Sequence, residues 1–300
     1  MIQTKSLTKK YANGKGIFDV SFQVNHGEVF GFLGPNGAGK TTTMRHLLGF
    51  INPTSGSASI AGLDCRTNAA EIQRKLGYVP GEIAFFDNMT GNQFLKFIAE
   101  MRGIHNKKLQ DSLTERFELE SDRKIRKMSK GMKQKVGLIA AFMHDPEVII
   151  LDEPTSGLDP LMQKKFVDLI NEERSRGKTI LMSSHIFDEI DNTCERVAII
   201  RDGRLVAVEN ITTLKTTLQK RFTITFGNEQ DMATINASGL NYEKKDRNKV
   251  EIVVSGDYNN LVKTLAECNV ISMDAATQSL EEIFMRYYGK EGNKHVMDIV

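Results

Sequence analysis

Residues 28–41 read EVFGFLGPNGAGKT and decide the fold. The apolar run EVFGFL (28–33) predicts a strand that stops at Gly34, and a helix is predicted from about Lys40 to Gly49. GPNGAGKT (34–41) fits G-x-x-x-x-G-K-[ST], in which glycines let backbone N–H groups surround a phosphate without Cβ clashes. A chance glycine-rich turn is the alternative, but the strand before and the helix after are the context that a phosphate loop requires.

The end of this stretch supplies a charge and a hydroxyl. Lys40 is predicted to reach the β- and γ-phosphates of a nucleotide, and Thr41 to offer its hydroxyl to Mg²⁺. The dipole of the following helix favours the same negative charge. Tyr11 lies ahead of the loop, after a short strand-like segment; stacking on adenine and a plain surface position fit it equally well.

Two adjacent acids end a second buried run. VIIL (148–151) is typical of a strand covered on both faces, and LDEP (151–154) follows it. Asp152 is predicted to hold Mg²⁺ through water beside Thr41, and Glu153 to polarise the attacking water. A nearby divalent cation offsets the repulsion between the two carboxylates, whereas the alternative is a pair of solvated loop acids.

A histidine follows the next apolar run. His185 comes directly after TILMSS, where an imidazole can hydrogen-bond a γ-phosphate and fix the geometry of water. Taken alone, a satisfied histidine at a strand end is the simpler interpretation, and the other five histidines receive it.

Strands and helices alternate around these motifs, which indicates an α/β fold with a helical insertion. Candidate helices lie near 90–102, 107–119 and 129–143, and further strands are predicted at 76–79, 179–183, 197–200 and 204–208. Asp159-Pro160 is typical of a helix start, and Gly177 of a helix stop. From about residue 220, strand-like RFTITF and KVEIVV and helical patterns at 258–267 and 279–288 predict a small α+β domain.

The stretch MSKGMKQK (128–135) indicates a second anion site. Seven of the thirteen residues from Arg123 to Lys135 are basic and none is acidic. Ser129 can cap a helix, and Gly131 lets an anion approach the backbone. Without its own glycine loop or carboxylates the stretch supplies half a site, and we interpret it as holding the γ-phosphate of a nucleotide bound to another subunit. A basic, solvated helix start is the alternative.

Composition sets few further limits. Of 300 residues 26% are charged, the net charge is +2, and the three cysteines lie far apart, so a reducing compartment is expected. The N-terminal residues lack the apolar run of a signal peptide, and no run of eighteen apolar residues predicts a membrane span. A role at a membrane therefore requires a partner.

Four motifs in this order, GPNGAGKTT, MSKGMKQ, LDEPTSGLDP and SSHIFDE, resemble the ATP-binding subunit of an ATP-binding cassette (ABC) transporter. The resemblance runs from about residue 2 to 215. It implies a P-loop NTPase cassette at 1–218 with a helical subdomain at about 82–145, and an accessory α+β domain at 219–300. It also implies an ATPase that uses ATP and Mg²⁺ and lies at the cytoplasmic face of the membrane.

The resemblance also implies the partners. These are a membrane permease on a separate chain and a second cassette in a homodimer that closes over two ATP molecules, with no nucleic acid. Its residues carry over by motif: Tyr11 as the adenine-stacking aromatic; Gly34, Pro35, Asn36, Gly37, Ala38, Gly39, Lys40, Thr41 and Thr42 as the phosphate loop; Ser129 and Gly131 as the signature; Thr41 and Asp152 at Mg²⁺; Glu153, His185 and Lys40 as catalytic groups; and 156–159 as the loop that crosses the dimer interface.

Two departures from the family pattern stand out. The signature LSGGQ reads MSKGM here, so Lys130 adds a positive charge where the partner's phosphate is expected. The glutamine that usually follows a strand such as GYVP is Gly81, with Glu82 next. We expect Glu82 or a water molecule to take the place of this glutamine, or the loop mainly to transmit motion. GYVPGE, SKGMKQK and the ending SLEEIFMRYYG (279–289) resemble exporters whose cassette and membrane protein are separate chains, including antibiotic and multidrug efflux systems.

Two other function classes are weaker. A cassette ATPase acting on ribosomes usually carries two cassettes, and one acting on chromosomes carries a long coiled coil. Here there is one cassette and an insert of about sixty residues without sustained heptads. A small-molecule kinase would leave SKGMKQK, SGLD and SSH without a role. For the C-terminal domain, a regulatory or dimer-stabilising role and a purely structural one remain open, and the transported substrate is not specified.

Overall fold

The computed structural model describes residues 1–104, 106–216, 220–254 and 258–277. The chain divides into two compact units, Met1–Ile211 and Thr212–Val300. The predicted domain boundary between 218 and 219 and the predicted helix at 279–288 lie outside the described residues.

The first unit is built from ten strands and seven helices within the described ranges. The strands are β1 (Ile2–Lys10), β2 (Gly16–Val24), β3 (Val29–Leu33), β4 (Ser55–Ile60), β5 (Leu63–Asp64), β6 (Leu76–Val79), β7 (Val148–Asp152), β8 (Thr179–Ser184), β9 (Arg196–Arg201) and β10 (Arg204–Asn210). The helices are α1 (Lys40–Leu47), α2 (Ala69–Lys75), α3 (Gly91–Arg102), α4 (Lys108–Arg116), α5 (Lys130–Phe142), α6 (Pro160–Ser175) and α7 (Phe187–Thr193), and α8 (Ile211–Thr216) follows at the junction of the units.

Two sheets form the first unit. The larger has the order β10-β9-β3-β8-β7-β6, in which every neighbouring pair is parallel except the hairpin of β9 and β10. All five residues of β3, all five of β7 and all six of β8 are buried, as continuous apolar runs covered on both faces require. The smaller sheet is antiparallel, in the order β2-β1-β4-β5.

One hydrophobic core joins the two sheets. It contains Phe22 of β2, Phe30 and Phe32 of β3, and Met44 and Leu47 of α1. The ring centroids of Phe22 and Phe30 lie 5.5 Å apart in a stacked pair. This core holds α1, and so the loop ahead of it, between the sheets. The predicted α/β class is confirmed.

Helices α3, α4 and α5 fall within the segment 82–145 in which helices are predicted, although α4 ends at Arg116 rather than near 119. Their starts follow local side-chain chemistry. Thr90 forms a capping box with Gln93 at α3, and Ser129 accepts a hydrogen bond from the backbone N–H of Met132 at α5. Asp159 caps α6 in the same way, with proline at the first helical position.

The second unit has its own core and topology. Its elements are β11 (Lys220–Phe226), α9 (Asp231–Ala237), β12 (Tyr242–Asp246), β13 (Lys249–Val254), α10 (Asn259–Ala266) and β14 (Val270–Thr277). The order β12-β13-β11-β14 with antiparallel neighbours is the split β-α-β arrangement of ferredoxin-like domains. Alternate residues of β11 and β13 form the core, which agrees with the predicted α+β character.

The described residues contain no helix with the length and apolar character needed to cross a bilayer.

Candidate functional site

The candidate site lies at one edge of the larger sheet. Four neighbouring parallel strands, in the order β6-β7-β8-β3, end there. The register sets Leu33 opposite Ser184, and Asp152 opposite Ser183. The segments after these strands therefore meet, which is where open α/β sheets form their ligand crevice.

The loop between β3 and α1 depends on glycine for two physical reasons. A Cβ on Gly34 would lie 2.5 Å from the carbonyl oxygen of Ile200, so no other residue fits at the start of the loop. Gly37 and Gly39 have φ angles of 81° and 113°, in the left-handed region that favours glycine. Pro35, Asn36 and Gly37 are exposed at the tip of this loop.

Lys40 and Thr41 turn toward the acids of β7. The Nζ atom of Lys40 is 2.6 Å from the carbonyl oxygen of Gly34 and 3.2 Å from Oε1 of Glu153. Thr41 donates a hydrogen bond of 2.7 Å from Oγ1 to Oδ2 of Asp152. Lys40 is buried, at 6% exposure, so its charge depends on these oxygen partners.

Glu153 and His185 form a pair at the ends of β7 and β8. Nδ1 of His185 lies 2.5 Å from Oε2 of Glu153, and the imidazole is more than half exposed. Glu153 has a φ of 50°, a left-handed conformation that is costly for a non-glycine residue. The structure thus brings together Lys40, Thr41, Asp152, Glu153 and His185.

Ser183 was missed in the sequence, although it organises this cluster. Its hydroxyl donates a 2.5 Å hydrogen bond to Oδ1 of Asp152 and accepts one of 3.1 Å from the backbone N–H of Glu153. The parallel register that sets Ser183 beside Asp152 is the signal that would have found it. Tyr78 lies nearby with a neutral phenol, since burial and the charge of Asp152 raise its pKa to about 12.

The donor atoms of Thr41 and Asp152 fit Mg²⁺. They are a hydroxyl and a buried carboxylate in hydrogen-bond contact, the hard oxygen ligands that this ion prefers. Among the described residues, no group of three His, Cys, Asp or Glu side chains is arranged to hold a metal.

The signature segment packs against the loop that follows Glu153 in the same chain. Lys130 donates a hydrogen bond of 2.7 Å to the hydroxyl of Ser156, and Gln134 donates one of 2.7 Å to the carbonyl of Pro154. A Cβ on Gly131 would overlap the carbonyl oxygen of Gly157. Gly131 thus has a packing role that the sequence did not reveal, beside the predicted approach of an anion.

Tyr11 lies in the turn between β1 and β2 and is 38% exposed. Its backbone N–H donates to the carbonyl of Lys15, and Nζ of Lys9 lies 5.8 Å from the centroid of its ring. The ring is thus accessible beside a cation, and its predicted stacking on adenine stays a prediction. Thr42, whose backbone carbonyl lies 2.7 Å from Nδ1 of His46, likewise stays a predicted member of the phosphate loop.

A strand, a glycine loop, a buried lysine and a helix, with an Asp-Glu pair at a neighbouring strand end, define the class of P-loop nucleoside triphosphatases. The family model described as ABC transporter matches residues 17–156. The bacitracin transport ATP-binding protein BcrA of Bacillus licheniformis is 42% identical over 209 residues, which are 69% of this chain and 68% of that protein. The linearmycin resistance ATP-binding protein LnrL of Bacillus subtilis is 30% identical over 307 residues, 97% of this chain and 99% of that protein. The chain belongs to the family of ABC transporter ATP-binding proteins.

Solved structures agree. An ATP-binding subunit of an ABC transporter superposes with a TM-score of 0.66 at 31% identity, over 72% of this chain and 92% of that one. The cassette MJ0796, in a dimeric post-hydrolysis state bound to ADP and Pi, superposes with a TM-score of 0.62 at 25% identity, over 70% and 99%. The chain is an ATP-hydrolysing subunit of a transporter, as predicted.

Proposed function

We propose that this subunit powers export through a separate membrane permease, by closing with a second copy of itself over two ATP molecules. The observation that carries the proposal is the division of the phosphate-binding groups. The loop at 34–42 adjoins Asp152, Glu153 and His185, whereas the signature at Ser129 adjoins the loop after Glu153 without carboxylates of its own.

ATP binding begins with an exchange of partners at Lys40. Its ammonium group contacts the Gly34 carbonyl and the Glu153 carboxylate. A triphosphate on the loop offers several charged oxygens at once, against one carboxylate and one carbonyl, and draws Lys40 away from Glu153. Glu153 then keeps His185 as a partner and gains a free oxygen for water. The movement of Lys40 toward the nucleotide thus makes the carboxylate of Glu153 available as a base.

Hydrolysis follows from the pair at the strand ends. Glu153 accepts a proton from the attacking water while His185 orients the water and the γ-phosphate. Thr41 and Asp152 would hold Mg²⁺, which neutralises charge on the phosphates when bound. Ser183 keeps the carboxylate of Asp152 and the backbone of Glu153 in fixed relation, so that both acids face the same phosphate.

The second copy completes the site. Ser129 and Gly131 begin a helix whose preceding segment is strongly basic, and this combination attracts a γ-phosphate. Binding that requires both copies gives the closed pair a higher affinity for ATP than the open one, and this difference drives closure. The dimeric cassette among the solved relatives supports this arrangement.

Glu153→Gln tests closure. It removes the base but keeps the shape of the side chain, so ATP should hold the variant as a stable dimer while ADP leaves it monomeric. Light scattering after size-exclusion chromatography measures the mass. Glu147→Gln, an exposed change ahead of the same strand, is the matched control and should behave like the wild type. A Glu153→Gln chain that stays monomeric with saturating ATP would refute closure.

A mixing experiment tests whether the site is shared between chains. Lys40→Ala and Ser129→Arg should each abolish hydrolysis. In a mixture, half of the pairs combine both variants and have one intact site, so hydrolysis should return, at about a quarter of the wild-type rate if the two sites act independently and at less if they are coupled. If phosphate loop and signature acted within one chain, mixing would restore nothing.

We place the docking surface for the permease near residues 81–100, where aromatic side chains lie at the surface. Phe86 is 55% exposed, and its ring lies perpendicular to that of Phe97 on α3, with 5.6 Å between the ring centroids. Met101, also on α3, is 71% exposed. The segment that carries Phe86 follows β6, whose end adjoins Asp152 through Gly81. A short apolar helix of the permease fits this surface, and its movement would reach the site directly.

Phe86→Ser should abolish co-purification with the permease while leaving the ATPase rate of the isolated chain within about twofold, because surface changes away from a site alter little. Phe50, equally exposed at 54%, is the matched control. Loss of co-purification with Phe50→Ser but not Phe86→Ser would place the permease elsewhere.

Gly81 lies directly beside the acid of β7, since a Cβ there would be 3.4 Å from Oδ2 of Asp152. The neighbouring side chain of Glu82 is exposed. The role of the usual glutamine therefore falls to Glu82 or to a water molecule, or else the loop has no ligand role and mainly transmits motion. Glu82→Ala separates these: unchanged ATPase and transport would exclude Glu82.

Export is supported by relatives named for bacitracin transport and linearmycin resistance. Cells lacking this chain should become more sensitive to antibiotics of such classes. The wild type should restore resistance, and Glu153→Gln should not, whereas equal sensitivity of all strains would argue against antibiotic export.

A further inference from the structure

A buried carboxylate that the mechanism above does not use lies next to the reaction centre. Glu189, in the first turn of α7, is 4% exposed. Its Oε2 accepts a 2.7 Å hydrogen bond from the hydroxyl of Ser184, and its Oε1 has no hydrogen-bond partner within the described structure. A buried carboxylate oxygen without a hydrogen-bond partner is costly, so its presence beside the reaction centre calls for an explanation.

The hydroxyl of Ser184 connects this carboxylate to the backbone around His185. While it donates to Glu189, it accepts a 2.8 Å hydrogen bond from the N–H of Ile186. Ser184 and Ile186 flank His185 on either side. The link therefore closes a turn whose apex is the histidine, and fixes the direction in which the imidazole leaves the backbone.

His185 needs such a support because its side chain is more than half exposed. Helix α7 provides a rigid base. The helix packs tightly on Gly31 of β3, since a Cβ there would lie 3.0 Å from Ile190 of α7 and 3.2 Å from Sγ of Cys194, the residue that follows the helix. Glu189 is thus held by a helix packed directly on the strand that leads into the phosphate loop.

We propose that Glu189 is a positioning residue for ATP hydrolysis, whose carboxylate acts through Ser184 to hold His185 in line with Glu153. This inference rests on the proposed roles of Glu153 and His185. The charged form is the active one, because a carboxylate only accepts and so leaves the hydroxyl of Ser184 as the donor, with its oxygen free for Ile186.

The charged form depends on pH. Burial raises the pKa of Glu189 to about 7, while the hydrogen bond from Ser184 opposes this rise. The charge of Glu153 raises the pKa further and that of His185 lowers it, and the thiol of Cys194, whose own pKa is raised to about 12 chiefly by burial, stays neutral beside it. The wild-type rate should therefore rise with pH through about 7.

The test measures kcat and KM for ATP of the full chain between pH 6 and 8.5. Glu189→Gln and Ser184→Ala should lower kcat about 10- to 100-fold, the typical effect of a misplaced catalytic group, with KM within about twofold. Ser184→Thr, which keeps the hydroxyl, should recover most of the rate. Glu189→Gln should also lose the part of the pH profile near 7. Asp188→Asn, the same change at an exposed neighbour, is the control and should match the wild type.

The outcomes separate cleanly. Wild-type kcat and pH profile in Glu189→Gln overturn the inference. If Glu189→Gln unfolds, Ser184→Ala provides the test, because it removes the hydrogen bond to Glu189 without changing the carboxylate. An unchanged kcat in Ser184→Ala would also refute the role of Glu189. Glu153→Gln run in parallel shows which idea has failed: full activity in that variant refutes the proposed catalytic site itself, whereas its inactivity beside an active Glu189→Gln refutes the role of Glu189 alone.

Discussion

Replacing Glu189 by glutamine measures what it costs the fold to bury a charge beside the site. The pKa of this carboxyl is about 7 in the folded chain, against an ordinary 4.5, chiefly because of burial. A raised pKa in the folded state means that the folded chain binds the proton more tightly than the unfolded chain. The stabilisation is complete below about pH 4.5 and is lost as the pH rises through about 7.

The magnitude follows from linkage. A tenfold difference in proton affinity corresponds to about 1.4 kcal/mol, so ionising Glu189 in the folded chain costs about 3 kcal/mol, of which about 2.5 kcal/mol falls between pH 5 and pH 8. Glutamine has no charge at any pH. The variant should therefore gain stability relative to the wild type as the pH rises, by about 5–10 °C in Tm for a unit of this size.

Differential scanning calorimetry of both proteins at intervals from pH 5 to pH 8 measures the effect. Taking the difference between the two Tm values at each pH removes the contribution of every other titrating group. Asp188→Asn, whose side chain is exposed, should run parallel to the wild type. Parallel curves for Glu189→Gln would refute the reasoning, since they would mean that the carboxyl has the same pKa in the folded and the unfolded chain.

The remaining predictions concern packing, pH and an ion pair. Gly131→Ala should destabilise the chain and lower its ATPase rate, because the methyl group would overlap the carbonyl of Gly157; thermal unfolding and phosphate release measure both, and a wild-type Tm would contradict the clash. Burial lowers the pKa of His144 to about 4, so stability should fall by roughly 3 kcal/mol as the pH drops from 7 to 4, and His144→Gln should remove this loss. Arg116 joins α4 to Glu172 of α6 through Nη1 and Oε2, 2.6 Å apart, and a double-mutant cycle in urea should give about 0.5–1 kcal/mol of coupling, whereas zero would mean that water screens the pair fully.

Motifs with strong local signals were predictable. Strand β3, the glycine loop and α1 follow from the apolar run, the glycines and Lys40, and Ser129 and Asp159 cap the helices as their residue types indicate. The meeting of Asp152, Glu153 and His185 with the loop also followed, because parallel strands end at one edge.

Other elements were missed because their sequences carry weak or contrary signals. Strand β4, SGSASI, is made mainly of small residues, half of which are exposed, and β12, YEKKD, is a charged edge strand, so neither shows the apolar alternation of a half-buried strand. The roles of Ser183 and of Gly131 depend on contacts with segments about thirty residues away, which local pattern does not reveal.

The packing of Gly131 against Gly157 has a consequence for how a pair of these subunits would turn over. If the start of α5 binds a neighbour's nucleotide, as proposed, it cannot shift without displacing the segment that follows Glu153 in its own chain. We therefore expect phosphate release at one nucleotide site to shift the segment after Glu153 at the other site. The two sites should then hydrolyse ATP in alternation rather than independently.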